Sequence, residues 1–245
     1  MIEEVIELSG LKEQIAQIPG QILFDTNRRG KGQLPKEFAS LITESYKAAE
    51  SYQMAVDYFL LNYDENRFLS LLKSLKSPLL RKVVQAEIES GRPEKMPEMQ
   101  AFLTDFESKK PSPERIALIK KMDETIGISD KVAEMAITTA QQISKLGTGS
   151  LTPAEQLLME RSWERNRLKM KEHFFQDDQF KKSLIFIYQS LSDEEITAYI
   201  EFSESDVGQW YQKIGFEVYQ AVVSEFFTEF FKLVSDKLQE SWPGR

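Results

Sequence analysis

The sequence predicts an all-α fold, a multi-helix array made of two similar helical halves. Apolar residues recur at spacings of three and four, and no comparable stretch alternates with a period of two, which favours helices over strands. Serine or threonine N-caps precede several of the periodic runs and mark where helices begin. Two segments also resemble each other, which predicts a pair of related hairpins.

The periodic runs and their flanking turn residues set the limits of each predicted helix. A representative run has apolar side chains at Leu41, Ile42, Tyr46, Ala49, Tyr52, Val56, Phe59 and Leu60. We expect helices at residues 2–24, 35–61, 64–76, 78–90, 95–108, 113–126, 129–146, 153–174, 177–190, 193–204 and 206–240. The strand content should be close to nil.

Capping signals define several helix starts. Thr152, Pro153 and Glu155 supply a cap hydroxyl, a first-turn proline and a capping-box glutamate in sequence. Ser192 and Glu195 have the spacing of a second capping box. The serine–proline pattern, in which proline's missing N–H costs nothing in a first turn, recurs at Ser77–Pro78 and Ser112–Pro113.

The internal similarity is found when Ser77 is aligned with Ser205. Phe68 then falls on Ile196, and Leu72 falls on Ile200. Each copy has a capped helix, a serine break and a second helix. We expect similar hairpins, with both serines capping the second helix, at residues 64–90 and 192–218.

The stretch Lys109–Pro113 is the best candidate for a boundary between the halves, because it is rich in proline and polar residues. We therefore divide the chain into an N-terminal helical half at residues 1–110 and a C-terminal helical half at residues 111–245. The alternative is one continuous globular unit.

The amino-acid composition excludes several classes of partner and of functional site. The chain has a formal net charge of −8 and no cysteine, which excludes disulfides, thiolate nucleophiles and cysteine-bound metals. An acidic protein repels the phosphate backbone, so we expect no nucleic-acid partner. No apolar run is long enough to span a membrane. The sequence indicates no cofactor and no metal.

One short segment resembles a known family. In residues 191–208 a leucine and an acidic cap are followed by a helix that closes with Phe202, then by Ser205 and Gly208. This pattern is similar to a family of mostly exported bacterial proteins known only as a domain of unknown function. That family usually has tyrosine and proline where this chain has Ser203 and Asp206.

The resemblance implies a helical fold, export to the periplasm or beyond, and no established activity. A cytoplasmic location is the alternative, because Met1 opens directly into a helical pattern without a leader. The matched residues themselves favour structural roles. Phe202 closes an apolar stripe, Ser205 caps the next helix, and Gly208 permits close approach of two backbones. In the first half Ser77 and Pro78 keep the cap and the proline.

His173 is the only histidine in the chain. It could act as an acid/base group with Glu172, Asp177 or Asp178. Its place at the end of a helix favours a simpler role, in which a cation interacts with the last carbonyl groups of the helix. We expect it to be dispensable for folding and activity, and we assign no catalytic residue.

Three other charged groups favour structural interpretations over functional ones. The segment 27–32 could bind an anion. A group of acidic side chains on the predicted helix 193–204 could bind a cation. A stripe of basic side chains on the predicted helix 153–174 could contact the phosphates of a nucleic acid. A solvated loop explains the segment 27–32 as well. Interaction with the helix dipole explains the acidic group, and surface ion pairs explain the basic stripe. The acidic group is Asp193, Glu194, Glu195, Glu201 and Glu204, and the stripe is Arg161, Arg165 and Lys169.

The last predicted helix is apolar around more than one narrow face. Such a helix is buried on several sides, lies against a partner, or lines an apolar cavity. Its candidate contacts for a ligand or a partner are Tyr219, Phe226, Phe227, Phe230 and Phe231. We expect it to pack between the two halves or across a dimer interface, with its rings bordering any cavity.

These features favour a non-enzymatic binding or structural protein. Its expected partners are another protein, a second copy of the chain, or an apolar small molecule. The alternative is an enzyme whose acid/base site is assembled from His173 and nearby carboxylates.

Overall fold

The computed structural model describes residues 1–29, 35–145, 152–176 and 178–241. Within these ranges 87% of the residues are helical and no strand is present, so the predicted all-α class is confirmed. None of the helices in the same ranges combines the length and the apolar composition that a membrane crossing requires.

The helices follow one another with short connections. In chain order they are α1 Ile2–Leu8, α2 Leu11–Ala16, α3 Ile18–Arg29, α4 Lys36–Glu44, α5 Ala48–Leu61, α6 Glu65–Leu75, α7 Pro78–Ser90, α8 Met96–Thr104, α9 Phe106–Lys109, α10 Pro113–Ile126, α11 Ile128–Lys145, α12 Pro153–Gln176, α13 Asp178–Ile187, α14 Asp193–Glu204 and α15 Asp206–Ser241. A short 3-10 turn, Pro93–Lys95, precedes α8.

The prediction of one continuous helix over residues 2–24 is wrong, because Gly10 breaks the helix. Gly10 has a φ of 68°, in the left-handed region, and it separates α1 from α2. A Cβ at this position would lie 2.6 Å from Ile88 Cδ1 of α7. The glycine therefore provides both the turn and the close approach to α7.

The second predicted helix, 35–61, is also interrupted. Lys47 leaves the helical region with a φ of −106° and a ψ of 87°, and the Ser45 hydroxyl donates to the Leu41 carbonyl at 2.6 Å. The break lets α4 and α5 each pack against α15. Tertiary packing thus overrides a periodic pattern that runs through the break.

The predicted N-caps are confirmed. The side-chain oxygens of Ser77 and Ser112 accept from the backbone N–H three residues later, at 3.2 Å in both cases. Ser192 and Thr152 form capping boxes, in which Glu195 and Glu155 accept from the cap residue's own backbone N–H.

Ser205 caps α15 in the same way as Ser77 caps α7, as expected from the aligned segments. Its Oγ accepts from the Gly208 N–H at 3.1 Å and donates to the Phe202 carbonyl at 2.6 Å. A Cβ on Gly208 would lie 2.0 Å from that carbonyl oxygen, so close backbone approach requires the glycine. The overall similarity of the two hairpins stays a prediction.

One apolar core includes residues from both predicted halves. Its fully buried side chains include Ile6, Phe59, Phe68, Ile196, Ile200 and Ile214. Helix α15 packs against α2, α4, α5 and α6 from the first half and against α11 and α14 from the second. The last helix therefore contacts helices from both residues 1–110 and residues 111–245, and the division into two halves stays a prediction.

Candidate functional site

A cavity of about 600 Å³, partly open to solvent, lies among helices α2, α3, α7, α8, α10, α11, α13, α14 and α15. Most of its wall is apolar, formed by Phe24, Met96, Met99, Leu103, Ile126, Ile128, Val132, Phe180, Leu184 and Ile187. Its polar residues are Gln14, Gln17, Gln21, Glu87, Ser90, Gln100, Ser183, Tyr188, Tyr199 and Tyr219. An apolar wall with a few convergent polar groups is typical of a ligand pocket.

Helix α7 brings Glu87 to this cavity. The Ser77 cap and Pro78 start the helix, and Leu80 and Val83 are buried on its inner face. Glu87 follows Val83 by four positions, so it extends the same buried face by one turn. A carboxyl group therefore occupies a position where the helical pattern would place an apolar residue.

The Glu87 carboxylate accepts hydrogen bonds from two helices, α2 and α14, and from the turn after α13. The hydroxyl of Tyr188 donates to Oε1 at 2.7 Å, and the hydroxyl of Tyr199 is 3.4 Å from the same oxygen. The side-chain amide of Gln14 donates to Oε2 at 3.3 Å. In the described part of the chain, the groups acting on this carboxylate are thus two phenols and an amide, none of which is a cation.

Burial dominates the electrostatics of this cluster. Loss of hydration raises the pKa of Glu87 above its ordinary range, although the hydrogen bonds from Tyr188, Tyr199 and Gln14 oppose the rise. Burial, together with the charge of Glu87, also raises the pKa of Tyr188 and of Tyr199 well above the usual phenol value. Both phenols therefore stay protonated and act as donors to the carboxylate.

Arg115 fixes the turn that carries Tyr188. Its guanidinium donates to the carbonyls of Tyr188 and Leu191, at 2.8 and 2.7 Å, and pairs with Asp193 at 2.6 Å. These bonds join the start of α10 to the start of α14. The Tyr188 backbone, and with it the donor to Glu87, is held in place.

A row of glutamines forms the polar wall next to Glu87. Gln14 of α2, Gln17 between α2 and α3, and Gln21 of α3 follow at spacings of three and four, and all three line the cavity. The Gln17 amide N–H donates to the Ile88 carbonyl at 3.1 Å. Among the described residues, its buried Oε1 has no hydrogen-bond donor. A buried acceptor of this kind calls for a partner, from water or from a ligand.

Tyr219 connects the C-terminal helix to this wall. Its hydroxyl lies 3.4 Å from Gln21 Oε1, and burial raises its pKa to about 12. Of the five side chains of α15 that the sequence singled out for ligand or partner contact, Tyr219 lines the cavity.

The four phenylalanines of that group lie elsewhere. Phe226 and Phe230 are buried in a second apolar cluster with Leu41 and Ile42 of α4, and Phe227 and Phe231 pack against it. The expectation that these rings border the cavity is wrong, because they are absent from its wall. The α4 break turns Leu41 and Ile42 towards them, so their partners come from within the chain.

Other sequence candidates have structural partners or lie outside the described residues. The second group comprises residues 30–32, residue 177 and the side chains of residues 27–29, Glu172, His173 and Asp178. The backbone of residues 27–29 is the last part of α3 and not a loop. Glu195 pairs with Lys82 at 2.6 Å, and Asp193 pairs with Arg115. Among the described residues, no group of acids or histidines has the arrangement of a metal site. Arg161, Arg165 and Lys169 are exposed along α12.

The sequence interpretation missed Glu87, Gln14, Tyr188 and Tyr199. The sequence contained one signal for Glu87. This carboxyl group lies four residues after Val83, at a position where the apolar face of the helix predicts an apolar side chain. The tyrosines gave no signal, because 101 and 112 positions separate them from Glu87 and aromatic residues are ordinary core residues.

Comparisons with known proteins give no match to this chain, whether with protein-family models, with curated proteins or with solved structures. The family resemblance of residues 191–208 and the exported location that it implies therefore stay predictions.

Proposed function

We propose that this protein binds a small, largely apolar organic molecule in the cavity between its two halves. The observation that carries the proposal is the cavity itself, about 600 Å³ in volume, with apolar walls and a hydrogen-bonded polar cluster around Glu87. Pockets for small molecules typically measure about 300–1,000 Å³ and have this composition.

The cavity wall offers apolar surface that a ligand can cover. Met99, Leu103 and Val132 line the cavity and are only half-buried. Each methylene group buried when a ligand covers this wall contributes about 0.8 kcal/mol.

The polar cluster supports the same proposal. Among the described residues, the half-buried carboxyl group of Glu87 has no cation and the buried Gln17 Oε1 has no donor, and both cost stability. Residues that destabilise the unliganded fold are expected where a ligand supplies the missing partner.

The rival proposals have less support in the described residues. The enzyme alternative depends on His173, whose side chain lies outside them. A protein partner or a homodimer was expected from the phenylalanines of α15, and Phe226 and Phe230 already have partners in Leu41 and Ile42.

Titration with N-phenylnaphthylamine, an uncharged apolar fluorophore, tests the proposal. We expect enhanced fluorescence with one site per chain. Met99→Trp should reduce the affinity by about tenfold or more, because a larger side chain fills the cavity. Leu61→Trp is the matched control, since Leu61 is 83% exposed and distant from the cavity wall.

Two results would contradict the proposal. One is the absence of saturable binding by the folded wild-type protein. The other is equal binding by wild type and by a Met99→Trp protein whose circular dichroism spectrum and unfolding midpoint match those of Leu61→Trp.

A further inference from the structure

The charges around the cavity are unbalanced. Its described lining contains no lysine, arginine or histidine, and Glu87 is the one carboxyl group in it. The remaining ionisable groups of the wall are three phenols, of which Tyr188 and Tyr199 stay neutral because their pKa values are raised. Within the part of the chain that the structure describes, an ionised Glu87 is therefore a negative charge without a counter-ion in the cavity wall.

Several described cations of the neighbouring elements are engaged elsewhere. Lys131 of α11 donates to the Ile126 carbonyl at 2.8 Å. Lys82, on the same helix as Glu87, pairs with Glu195 of α14. Lys12 of α2 lies over the ring of Tyr52, and Lys182 of α13 lies over the ring of Phe106. On the α6 side, Arg67 pairs with Asp206 and Lys76 pairs with Glu4.

The groups that face Glu87 are uncharged phenols and an amide. Tyr188 follows α13, Tyr199 comes from α14, and Tyr211 of α15 is close enough for the Glu87 charge to raise its pKa. Gln14 of α2 completes the set. None of these groups can neutralise a carboxylate, and each leaves its negative charge in place.

We propose that the occupant of the cavity is an organic amine, whose ammonium group pairs with the Glu87 carboxylate while its apolar body lies along the cavity wall. This inference deepens the proposed function and rests on it. It excludes fatty acids and other anions, which Glu87 would repel.

The hydrogen-bonding inventory of the wall matches an ammonium group. An ammonium has three N–H donors and no acceptor, so it requires several oxygens. Glu87 supplies carboxylate oxygens, and the buried Gln17 Oε1 has no donor among the described residues. The rings of Tyr188, Tyr199 and Phe180 add aromatic surface, which attracts cations.

The proposal predicts the direction in which amine affinity changes with pH. Because burial raises the pKa of Glu87, this carboxyl group keeps its proton to a higher pH than an exposed glutamate does, and the proton must leave before the ammonium can pair. Amine affinity should therefore increase as the pH rises through the pKa of Glu87. It should then level off until the amine itself loses its proton near pH ~10.

Displacement of N-phenylnaphthylamine by octylamine, octanol and octanoate tests the inference, since the three probes share one chain and differ in their head group. We expect octylamine to bind about tenfold more tightly than octanol and octanoate to bind most weakly. Glu87→Gln should remove the preference for octylamine over octanol and the pH dependence of octylamine binding. Glu89→Gln is the control, because Glu89 is exposed on the same helix.

The outcomes separate this inference from the proposed function. If octanol or octanoate binds as tightly as octylamine, or if Glu87→Gln keeps the octylamine preference, the amine inference is overturned and cavity binding stands. If no octyl probe displaces the fluorophore and the fluorophore itself does not bind, both proposals fail.

Discussion

The hydroxyl of Tyr188 donates a 2.7 Å hydrogen bond to Oε1 of Glu87, a residue 101 positions earlier in the chain. The bond joins α7 of the first half to the turn after α13 in the second. It lies at the wall of the cavity, so the contact that links the halves also shapes the candidate binding site.

Tyr188→Phe should destabilise the protein by about 1–3 kcal/mol near neutral pH. The substitution removes the shortest hydrogen bond to a buried carboxylate, and hydrogen bonds to charged groups contribute this much. Urea unfolding measures the change. Tyr63→Phe is the matched control, because the Tyr63 hydroxyl is exposed and its contact is the Met1 sulfur at 3.8 Å. Equal midpoints for the two variants would show that the Glu87 bond contributes nothing.

Glu87→Gln should flatten the pH dependence of stability. The pKa of Glu87 is raised in the folded protein above its ordinary value of 4.5, so the folded state holds this proton more tightly than the unfolded chain does. The resulting stabilisation is fully present below pH 4.5 and is lost as the pH rises through the raised pKa.

In the variant this loss disappears. We expect Glu87→Gln to match or exceed the wild-type free energy of unfolding near neutral pH, with the difference shrinking in acid. Urea unfolding across the pH range measures it, with Glu89→Gln as the control for a lost surface charge. A variant whose stability falls with rising pH as steeply as that of the wild type would contradict this assignment.

Gly208 and Gly215 of α15 should respond in opposite directions to alanine. A Cβ on Gly208 would lie 2.0 Å from the Phe202 carbonyl oxygen, which belongs to rigid backbone, whereas a Cβ on Gly215 meets nothing within 4 Å. We expect Gly208→Ala to destabilise by about 1–3 kcal/mol or more. Gly215→Ala should stabilise by about 0.5–1 kcal/mol through helix propensity. Thermal unfolding of both variants would show whether the order is reversed.

Phe230→Ala should cost about 3–5 kcal/mol, as expected for a buried aromatic ring. Phe230 is 7% exposed, and its ring packs edge-on against Phe38, with centroids 5.3 Å apart. Leu61→Ala, at a side chain that is 83% exposed, should stay within about 0.5 kcal/mol of wild type. Chemical denaturation of the two variants measures the contrast. Near-equal values would mean that the second apolar cluster does not stabilise the fold.

The fold was predictable where local chemistry decides it. Caps at Ser77, Ser112, Thr152 and Ser192 act through their own backbone neighbours, so the sequence pattern contains the whole cause. The breaks at Gly10 and Lys47 depend on the approach of α7 and α15, which a local pattern does not contain. Periodicity therefore predicted helices in the right places and joined some that packing separates.

The candidate site was less predictable than the fold. Glu87 could have been noticed as a carboxyl group on an apolar helical face, and the glutamines as a polar row at helical spacing. Tyr188 and Tyr199 look like core residues until α13 and α14 are placed against α7. The phenylalanines of α15 drew attention because they are many, although their partners lie in the short helix α4.

The most direct test of a ligand in the cavity is native mass spectrometry of the wild-type protein, purified without detergent. If the cavity holds a ligand, we expect a peak heavier than the chain by one small organic molecule. This added mass should be lost in Met99→Trp and kept in Leu61→Trp. A wild-type protein with the bare mass of the chain, and with no added mass after incubation with octylamine or octanol, would contradict the account.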